Sequence, residues 1–155
     1  MLECSVPVPP YREGVVRLRK VGGPKVSRIR ILVVEDFAPF RQFISVMLAK
    51  RSNLEMICAV ADGLEAVQKA EELKPDLVLL DIGLPTQSGI AAARQIRKLA
   101  PESKIIFLTQ ESSAEAIQEA RNLGACGYVL KEKAGSELLA AVEAVISGKM
   151  FFSGT

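Results

Sequence analysis

Five polar side chains that are suited to chemistry follow apolar runs in this chain. They are Glu35 and Asp36 after the first run, and Asp81, Thr109 and Lys131 after three later runs. Continuous apolar runs of this kind are typical of strands that are buried on both faces of a parallel sheet. The carboxyl ends of parallel strands share one edge, where open α/β sheets bind their ligands, so we expect these five side chains to lie close together.

The chemistry that suits this set of residues is phosphoryl transfer. The adjacent acids Glu35 and Asp36 repel each other unless a cation lies beside them, and ligands that are all oxygen suit Mg²⁺. A phosphoryl group that arrives at Asp81 brings negative charge, which the metal and Lys131 neutralise while Thr109 hydrogen-bonds a phosphoryl oxygen. We therefore expect the Asp81 carboxylate to act as the nucleophile and to form an acyl phosphate.

The elements that must position these residues alternate between strand and helix five times. Residues 54–60 form a further apolar strand, and each strand is followed by a segment with helical periodicity. In the second of these helices, Leu64, Val67, Ala70 and Leu73 form the stripe that we expect to be buried. The alternation predicts an α/β fold, namely a doubly wound five-stranded parallel sheet with five helices on its two faces.

Composition excludes several other classes of protein. The 155 residues are 49% hydrophobic and 25% charged, which is typical of one globular domain. The chain contains no histidine, which excludes serine–histidine or cysteine–histidine catalysis, and its three cysteines form no CxxC pair that would predict zinc. No apolar run is long enough to span a membrane, and an acid, Glu3, stands where a secretory signal is basic. We therefore expect a cytoplasmic protein without a membrane partner.

Charge and composition divide the chain into three parts. Residues 1–28 carry six basic and two acidic side chains and are rich in Pro and Gly, so we interpret them as a flexible basic leader. Residues 29–152 form the folded domain, and residues 153–155 are a C-terminal tail. The part after the leader carries 14 basic and 16 acidic side chains, so we expect no direct nucleic-acid binding by this chain. The apolar residues 150–152 either pair with a second copy in a homodimer or pack on the domain.

The segments around the strand ends match a known family in combination. The matching segments are residues 32–36, residues 75–81 with Pro85 and Gly89, residues 107–109 and residues 124–131. Over residues 29–152 the chain resembles the receiver domain of bacterial two-component response regulators. The resemblance implies a flavodoxin-like sheet with the strand order 2-1-3-4-5.

One subgroup of that family is particularly similar. Glu132 stands where many receivers have a proline after the lysine, and residues 131–142 and 148–153 look like receivers that are joined to a LuxR-type helix-turn-helix. This similarity implies a role in transcription regulation, with any DNA binding carried out by a domain other than the receiver.

The resemblance also assigns roles to residues at the strand ends. Asp81 is similar to the phosphoacceptor and Lys131 to the lysine that binds the phosphoryl group. Mg²⁺ would be bound by Glu35, Asp36, Asp81 and the backbone carbonyl of Gly83.

A switch pair and a partner follow from the same resemblance. Thr109 and Tyr128 are similar to the pair in which the tyrosine turns inward once the threonine moves toward the phosphoryl group. The implied partner is a histidine kinase or a phosphotransfer protein, which donates the phosphoryl group. The chain would then be a signalling switch rather than a turnover enzyme, and its output would be a change in docking or dimerisation.

Three alternatives remain open at this stage. A Mg²⁺-dependent phosphohydrolase of the haloacid-dehalogenase type also forms an aspartyl-phosphate, but such enzymes carry a second Asp two residues after the nucleophile, where this chain has Gly83. A docking module that is not phosphorylated is disfavoured by the complete set of acids with Thr109 and Lys131. A flavin-binding protein of the same topology is disfavoured because no phosphate-binding loop of Ser, Thr and Gly follows the first strand.

Overall fold

A computed structural model describes residues 27–153, and within them the chain forms six strands and five α-helices. In chain order these are β1 (Ile29–Val34), α1 (Ala38–Leu48), β2 (Leu54–Val60), α2 (Gly63–Leu73), β3 (Leu77–Leu80), α3 (Gly89–Leu99), β4 (Lys104–Thr109), α4 (Ala114–Asn122), β5 (Gly127–Leu130), α5 (Ala134–Ile146) and β6 (Phe151–Phe152). A short 3₁₀ helix, Lys131–Lys133, joins β5 to α5. The predicted leader, except for its last two residues, and residues 154–155 of the predicted tail lie outside the described residues.

The strands form one parallel sheet with the order β2-β1-β3-β4-β5-β6. The predicted doubly wound sheet and its order 2-1-3-4-5 are therefore confirmed. The prediction of five strands did not include β6. In this strand Phe151 lies opposite Gly127 and Phe152 lies opposite Tyr128. A two-residue strand has no alternating pattern in the sequence, and β6 forms because the outer side of β5 presents backbone groups that need partners.

The helices cover both faces of the sheet and bury one apolar layer on each. Helices α2, α3 and α4 pack on one face, and α1 and α5 pack on the other. Strand β3 lies between β1 and β4 and is buried along its whole length, as its continuously apolar sequence predicts. In residues 27–153 no helix combines the length and the apolar character that crossing a lipid bilayer requires.

The prediction that Leu64 belongs to the buried stripe of α2 is wrong. Leu64 is 54% exposed, whereas Ala66 and Ala70 are completely buried. The first turn of α2 packs closely on the loop after β3, because a Cβ atom at Gly63 would lie 2.4 Å from the carbonyl oxygen of Gln87. This close approach fixes the rotation of α2 about its axis and turns Ala66 toward the core instead of Leu64.

The start of α3 lies directly against the backbone of Asp81. The N–H of Gly89 donates to the carbonyl of Ile82 at 2.7 Å, and the Ser88 hydroxyl accepts from the first turn of the helix as its N-cap. A Cβ atom at Gly89 would lie 1.9 Å from the carbonyl oxygen of Asp81. Only glycine fits at this position, and its contact helps to fix the backbone that carries the Asp81 carboxylate.

We predict that Gly89→Ala lowers the free energy of unfolding by about 1–3 kcal/mol, because backbone atoms rather than a flexible side chain must move. Urea unfolding followed by circular dichroism measures this change. Gly135→Ala in the first turn of α5 is the matched control, because a Cβ atom there would meet nothing within 4 Å. We expect that control to be neutral or to stabilise the protein by up to about 1 kcal/mol. Equal stability of the two variants would contradict the close approach at Gly89.

Candidate functional site

The structure brings the three predicted acids together beyond the ends of β1 and β3. Carboxylate oxygens of Glu35, Asp36 and Asp81 lie within 4.8 Å of one another. Glu35 and Asp81 are 1% and 5% exposed, whereas Asp36 is exposed to solvent. Buried carboxylates so close together repel each other unless positive charge lies beside them. The exposed side of the cluster at Asp36 leaves a path by which a cation from solvent reaches it.

The ammonium group of Lys131 lies between the two buried acids. Its Nζ atom is 2.8 Å from Oε1 of Glu35 and 2.9 Å from Oδ2 of Asp81. Burial alone would lower the pKa of Lys131, but its hydrogen bonds with Glu35 and Asp81 outweigh burial and raise the pKa above the ordinary value. Lys131 therefore remains positively charged, at a fixed position beside the Asp81 carboxylate.

Glu35 is not fully compensated by this one ammonium group. Burial raises the pKa of its carboxyl, and the charge of Asp81 raises it further, against the hydrogen bonds from Lys131 and the Phe37 N–H. The Phe37 N–H donates to Oε2 of Glu35 at 3.0 Å, and Arg41 donates to the Glu35 backbone carbonyl at 2.7 Å. The raised pKa means that the ionised carboxylate would be stabilised by a further cation.

Both oxygens of the Asp81 carboxylate have a defined partner. Oδ2 accepts from Lys131, and Oδ1 accepts from the N–H of Gly83 at 3.2 Å. These two bonds fix the orientation of the carboxylate at the end of β3. Gly83 lies two residues after Asp81, as the predicted backbone ligand must, and the role of its carbonyl stays a prediction.

Phe40 in α1 contributes a contact that sequence reasoning did not assign to the site. The Nζ atom of Lys131 lies 5.0 Å from the centroid of the Phe40 ring, a distance at which the face of a ring attracts a cation. The contact joins α1 to the 3₁₀ helix that follows β5, two elements that are far apart in the chain. Spacing along the sequence therefore offered no signal that placed Phe40 at the site.

Thr109 and Tyr128, the predicted switch pair, are linked through a single residue of the loop after β4. The Glu111 N–H donates to Oγ1 of Thr109 at 3.2 Å, and the Tyr128 hydroxyl donates to the Glu111 backbone carbonyl at 2.6 Å. Thr109 and Tyr128 are both buried, so the tyrosine ring is in the inward position. A displacement of Thr109 would therefore move the hydrogen-bond acceptor of Tyr128.

The phenol of Tyr128 is held in its neutral form. Burial raises its pKa to about 12, and the negative charges of Glu111 and Asp81 add to the effect. Its ring lies 6.1 Å from the ring of Phe107 and 6.3 Å from the ring of Phe152 between centroids. The hydroxyl acts as a hydrogen-bond donor at neutral pH, so the inward position does not depend on titration.

A cavity of about 440 Å³ lies beside Lys131. It is lined by residues at and beyond the ends of β1, β4 and β5, namely Phe37, Phe40, Gln110, Ser112, Leu130, Lys131 and Glu132. Phe37 is 60% exposed, so the aromatic wall of the cavity is open to solvent. A small group from solvent can reach Lys131 through this cavity.

The donor set of the cluster fits a hard divalent cation. Three carboxylates face one ammonium group, which leaves an excess of two negative charges when all four groups are ionised. Oxygen ligands with one exposed member suit Mg²⁺, which keeps several of its water ligands. Among residues 27–153, Glu35, Asp36 and Asp81 are the group of potential ligand side chains whose spacing suits a metal ion.

Comparison with known proteins gives a consistent picture over most of the chain. The family model of the response regulator receiver domain matches residues 31–143. The chain is 35% identical over 124 residues to the oxygen regulatory protein NreC of Staphylococcus aureus. That match covers 79% of this chain and 57% of NreC, so the chain spans little more than half the length of this relative.

Solved structures agree with the sequence matches. A two-component response regulator of the LuxR family from an Aurantimonas species superposes with a TM-score of 0.78 and 31% identity, over 83% of this chain and 91% of that chain. The response regulator domain of CheB from Thermotoga maritima superposes with a TM-score of 0.72 and 30% identity, over 77% of this chain and 97% of that chain. The similarity to the LuxR-type subgroup that the sequence indicated is therefore confirmed.

We predict that the Tyr128 phenol titrates near pH 12 in the folded protein and near 10 in the unfolded chain. The chain has two tyrosines, so the Tyr11→Phe variant leaves Tyr128 as the sole phenol. Phenolate absorbance measured against pH reports its pKa, with the same titration in concentrated urea as the control. The unfolded chain releases this proton first, so Tyr128 makes the free energy of unfolding fall as pH rises from about 10 to 12. A folded-state pKa near 10 would contradict the burial of the Tyr128 phenol.

Proposed function

The chain belongs to the receiver domains of two-component response regulators, and on this premise we propose that it accepts a phosphoryl group on Asp81. The donor is a histidine kinase or a phosphotransfer protein, and the transfer depends on Mg²⁺. The observation that carries the proposal is the ammonium of Lys131, 2.9 Å from Oδ2 of Asp81 and held by Glu35 on its other side. It provides fixed positive charge beside a carboxylate that is otherwise surrounded by negative charge.

In the proposed transfer, an oxygen of the Asp81 carboxylate attacks the phosphorus of a phosphorylated imidazole. A new P–O bond forms to Asp81, the P–N bond breaks, and the departing imidazole is protonated. The product is an acyl phosphate, whose oxygens carry more negative charge than the carboxylate did. Lys131 compensates this charge, and the hydroxyl of Thr109 donates to a phosphoryl oxygen. The open cavity lined by Phe37 and Phe40 leaves room for the departing ring.

Glu35, Asp36 and Asp81 would hold the Mg²⁺, with the carbonyl of Gly83 as the fourth protein ligand. When bound, the ion supplies positive charge that lowers the repulsion between these carboxylates and an incoming phosphoryl group. The raised pKa of Glu35 supports this assignment, because it reflects a carboxylate that one ammonium group does not fully compensate.

Thr109 and Tyr128 would transmit the effect of phosphorylation to the surface of the domain. When the Thr109 hydroxyl turns to the phosphoryl group, it weakens or shifts its bond with the Glu111 N–H. The Glu111 carbonyl, which accepts from Tyr128, belongs to the same residue. Movement of this loop is thereby coupled to the position of the tyrosine ring, and the surface formed by α4, β5 and α5 changes the partners that it binds, including a second copy of the chain.

A role in transcription regulation is part of the same proposal. NreC and the LuxR-family regulator are similar to this chain, and the chain spans little more than half of NreC. The receiver would control the output by docking or dimerisation, and nucleic-acid contacts would be made outside it.

The hydrolase alternative is the weaker one. A hydrolase of this kind needs a general acid two residues after the nucleophile, and Gly83 provides only its backbone N–H there, which donates to Asp81. The unphosphorylated docking module is also less well supported, because docking alone does not require two acids to be buried around Lys131.

We predict that incubation with Mg²⁺ and acetyl phosphate adds one phosphoryl group to the chain, measured by intact mass. The adduct should resist acid and be released by base, as an acyl phosphate is. Asp81→Asn should abolish it, because the amide is not a nucleophile of comparable strength. Asp76→Asn makes the same change at the other end of β3, where Asp76 accepts from the Arg30 N–H at 2.8 Å, and it should be phosphorylated like the wild type.

Two results would overturn this proposal. If Asp81→Asn carried the adduct as efficiently as the wild type, Asp81 would not be the acceptor. If phosphate were released from acetyl phosphate continuously and rapidly, without accumulation of the adduct, the hydrolase would be the better explanation.

We predict that Mg²⁺ raises the free energy of unfolding by about 2–3 kcal/mol at a hundredfold excess over its Kd, because the folded cluster binds it and the unfolded chain does not. Thermal unfolding in increasing Mg²⁺ measures this. Glu35→Gln should lose most of the Mg²⁺ effect. Glu102→Gln, an exposed acid on the turn before β4, should keep it. Equal Mg²⁺ responses of the two variants would contradict the proposed ligand set.

A further inference from the structure

Residues 151–153 are seated on the outer edge of β5 by backbone and side-chain contacts. The Phe151 N–H donates to the Cys126 carbonyl at 3.1 Å, and the Ser153 N–H donates to the Tyr128 carbonyl at 2.7 Å. The Ser153 hydroxyl accepts from the Leu130 N–H at 3.3 Å and donates to the Glu137 carboxylate. These bonds satisfy the edge of β5, which would otherwise present unpaired backbone groups.

The ring of Phe152 lies in an aromatic stack that includes Tyr128. The two rings are nearly parallel, with an interplanar angle of 11° and a centroid distance of 6.3 Å. The guanidinium of Arg121, in the last turn of α4, lies 3.8 Å from the centroid of the Phe152 ring. Phe152 is buried, so the stack extends from the surface helix α4 to the core of the domain.

The side chain of Phe151 points away from this stack. Phe152 belongs to the apolar layer under α2, α3 and α4, whereas Phe151 packs against the layer under α1 and α5. Neighbouring residues of a strand face opposite sides of a sheet, so one phenylalanine of β6 lies on each face. Of these two residues, Phe152 is the one that stacks on the ring of Tyr128.

We propose that the edge of β5 is a docking seat for residues 151–153, and that it binds them tightly only while the Tyr128 ring is turned inward. The inward ring is itself one wall of the seat, and a ring that turned outward would remove the surface on which Phe152 stacks. The segment that follows α5 thereby reports the position of the switch tyrosine.

The link to phosphorylation rests on the proposed function. A phosphoryl group on Asp81 draws Thr109 away from the Glu111 N–H, which frees the Glu111 carbonyl to follow the Tyr128 hydroxyl. This favours the inward ring and so favours the seated segment. Coupling between two sites is reciprocal, so a seated Phe152 must in turn favour the phosphorylated form. The C-terminal segment is then part of the switch rather than a passive cover of the sheet edge.

The test is amide hydrogen exchange at Ser153, measured by NMR in the full chain. Phosphorylation with acetyl phosphate and Mg²⁺, verified by mass in the same sample, should raise the protection of this amide by about two- to tenfold, the range expected from one aromatic pair. Tyr128→Leu without phosphate should lower the protection by a similar factor. The amide of Ile106 in β4 serves as the internal reference for global stability.

Two variants at the seat separate the coupling from general stability. Phe152→Leu should abolish the effect of phosphorylation on Ser153, whereas Phe151→Leu, the same change on the opposite face, should keep it. Beryllofluoride with Mg²⁺, a non-covalent mimic of the phosphoryl group, should bind Phe152→Leu about two- to tenfold more weakly than Phe151→Leu. This second measurement remains decisive if Tyr128→Leu does not fold.

The outcomes distinguish the two proposals. If the adduct forms on Asp81 but Ser153 protection does not change, the docking seat is not coupled to the switch and this inference is overturned, while the proposed function stands. If no adduct forms and beryllofluoride does not bind, the proposed function fails and the coupling fails with it. Equal behaviour of Phe151→Leu and Phe152→Leu would also overturn the inference.

Discussion

The ion pair between Lys131 and the two buried acids is the interaction on which the site depends. Burying Glu35 and Asp81 side by side is unfavourable, and a single ammonium at 2.8 and 2.9 Å makes the arrangement possible without neutralising it. Under the proposed function, the residual negative charge would favour a bound divalent cation, and the fixed ammonium would favour a bound phosphoryl group. Lys131 pairs with both acids. The charge of the groups that would bind the metal therefore depends on the same ammonium that would bind the phosphoryl group, and this shared dependence is an electrostatic balance between the two.

The fold makes this balance possible because it brings distant residues to one edge. Glu35, Asp81 and Lys131 follow β1, β3 and β5, whose mutual register is fixed by parallel pairing through β4. The contact at Gly89 fixes the backbone of Asp81 from the helix side. Tyr128, which lies within β5, also joins the loop after β4 to the C-terminal segment. These contacts link Thr109, at the end of β4, to the far edge of the sheet.

Much of the fold was predictable because its signals are local. Uninterrupted apolar runs at β1, β3 and β4 have one stable arrangement, a parallel sheet with helices on both faces, and the observed order agrees. Predictions failed where the deciding contact is not local. Leu64 has the right spacing for burial, but the close packing at Gly63 rotates α2 and exposes it. Strand β6 has no pattern of its own, and it exists because β5 has an open edge beside it.

The sequence by itself determined which residues lie at the carboxyl edge of the sheet, because the end of an apolar strand can be identified from its neighbours along the chain. It therefore identified Glu35, Asp36, Asp81, Thr109 and Lys131 as candidates for one site. Only the tertiary structure decided how these residues pair. The bond between Lys131 and Asp81 joins positions 50 residues apart, and the contacts of Lys131 with Phe40 and of Tyr128 with Phe152 join other elements. Such pairs depend on strand register and on the rotation of packed helices, which close packing of the whole core fixes and no local pattern encodes.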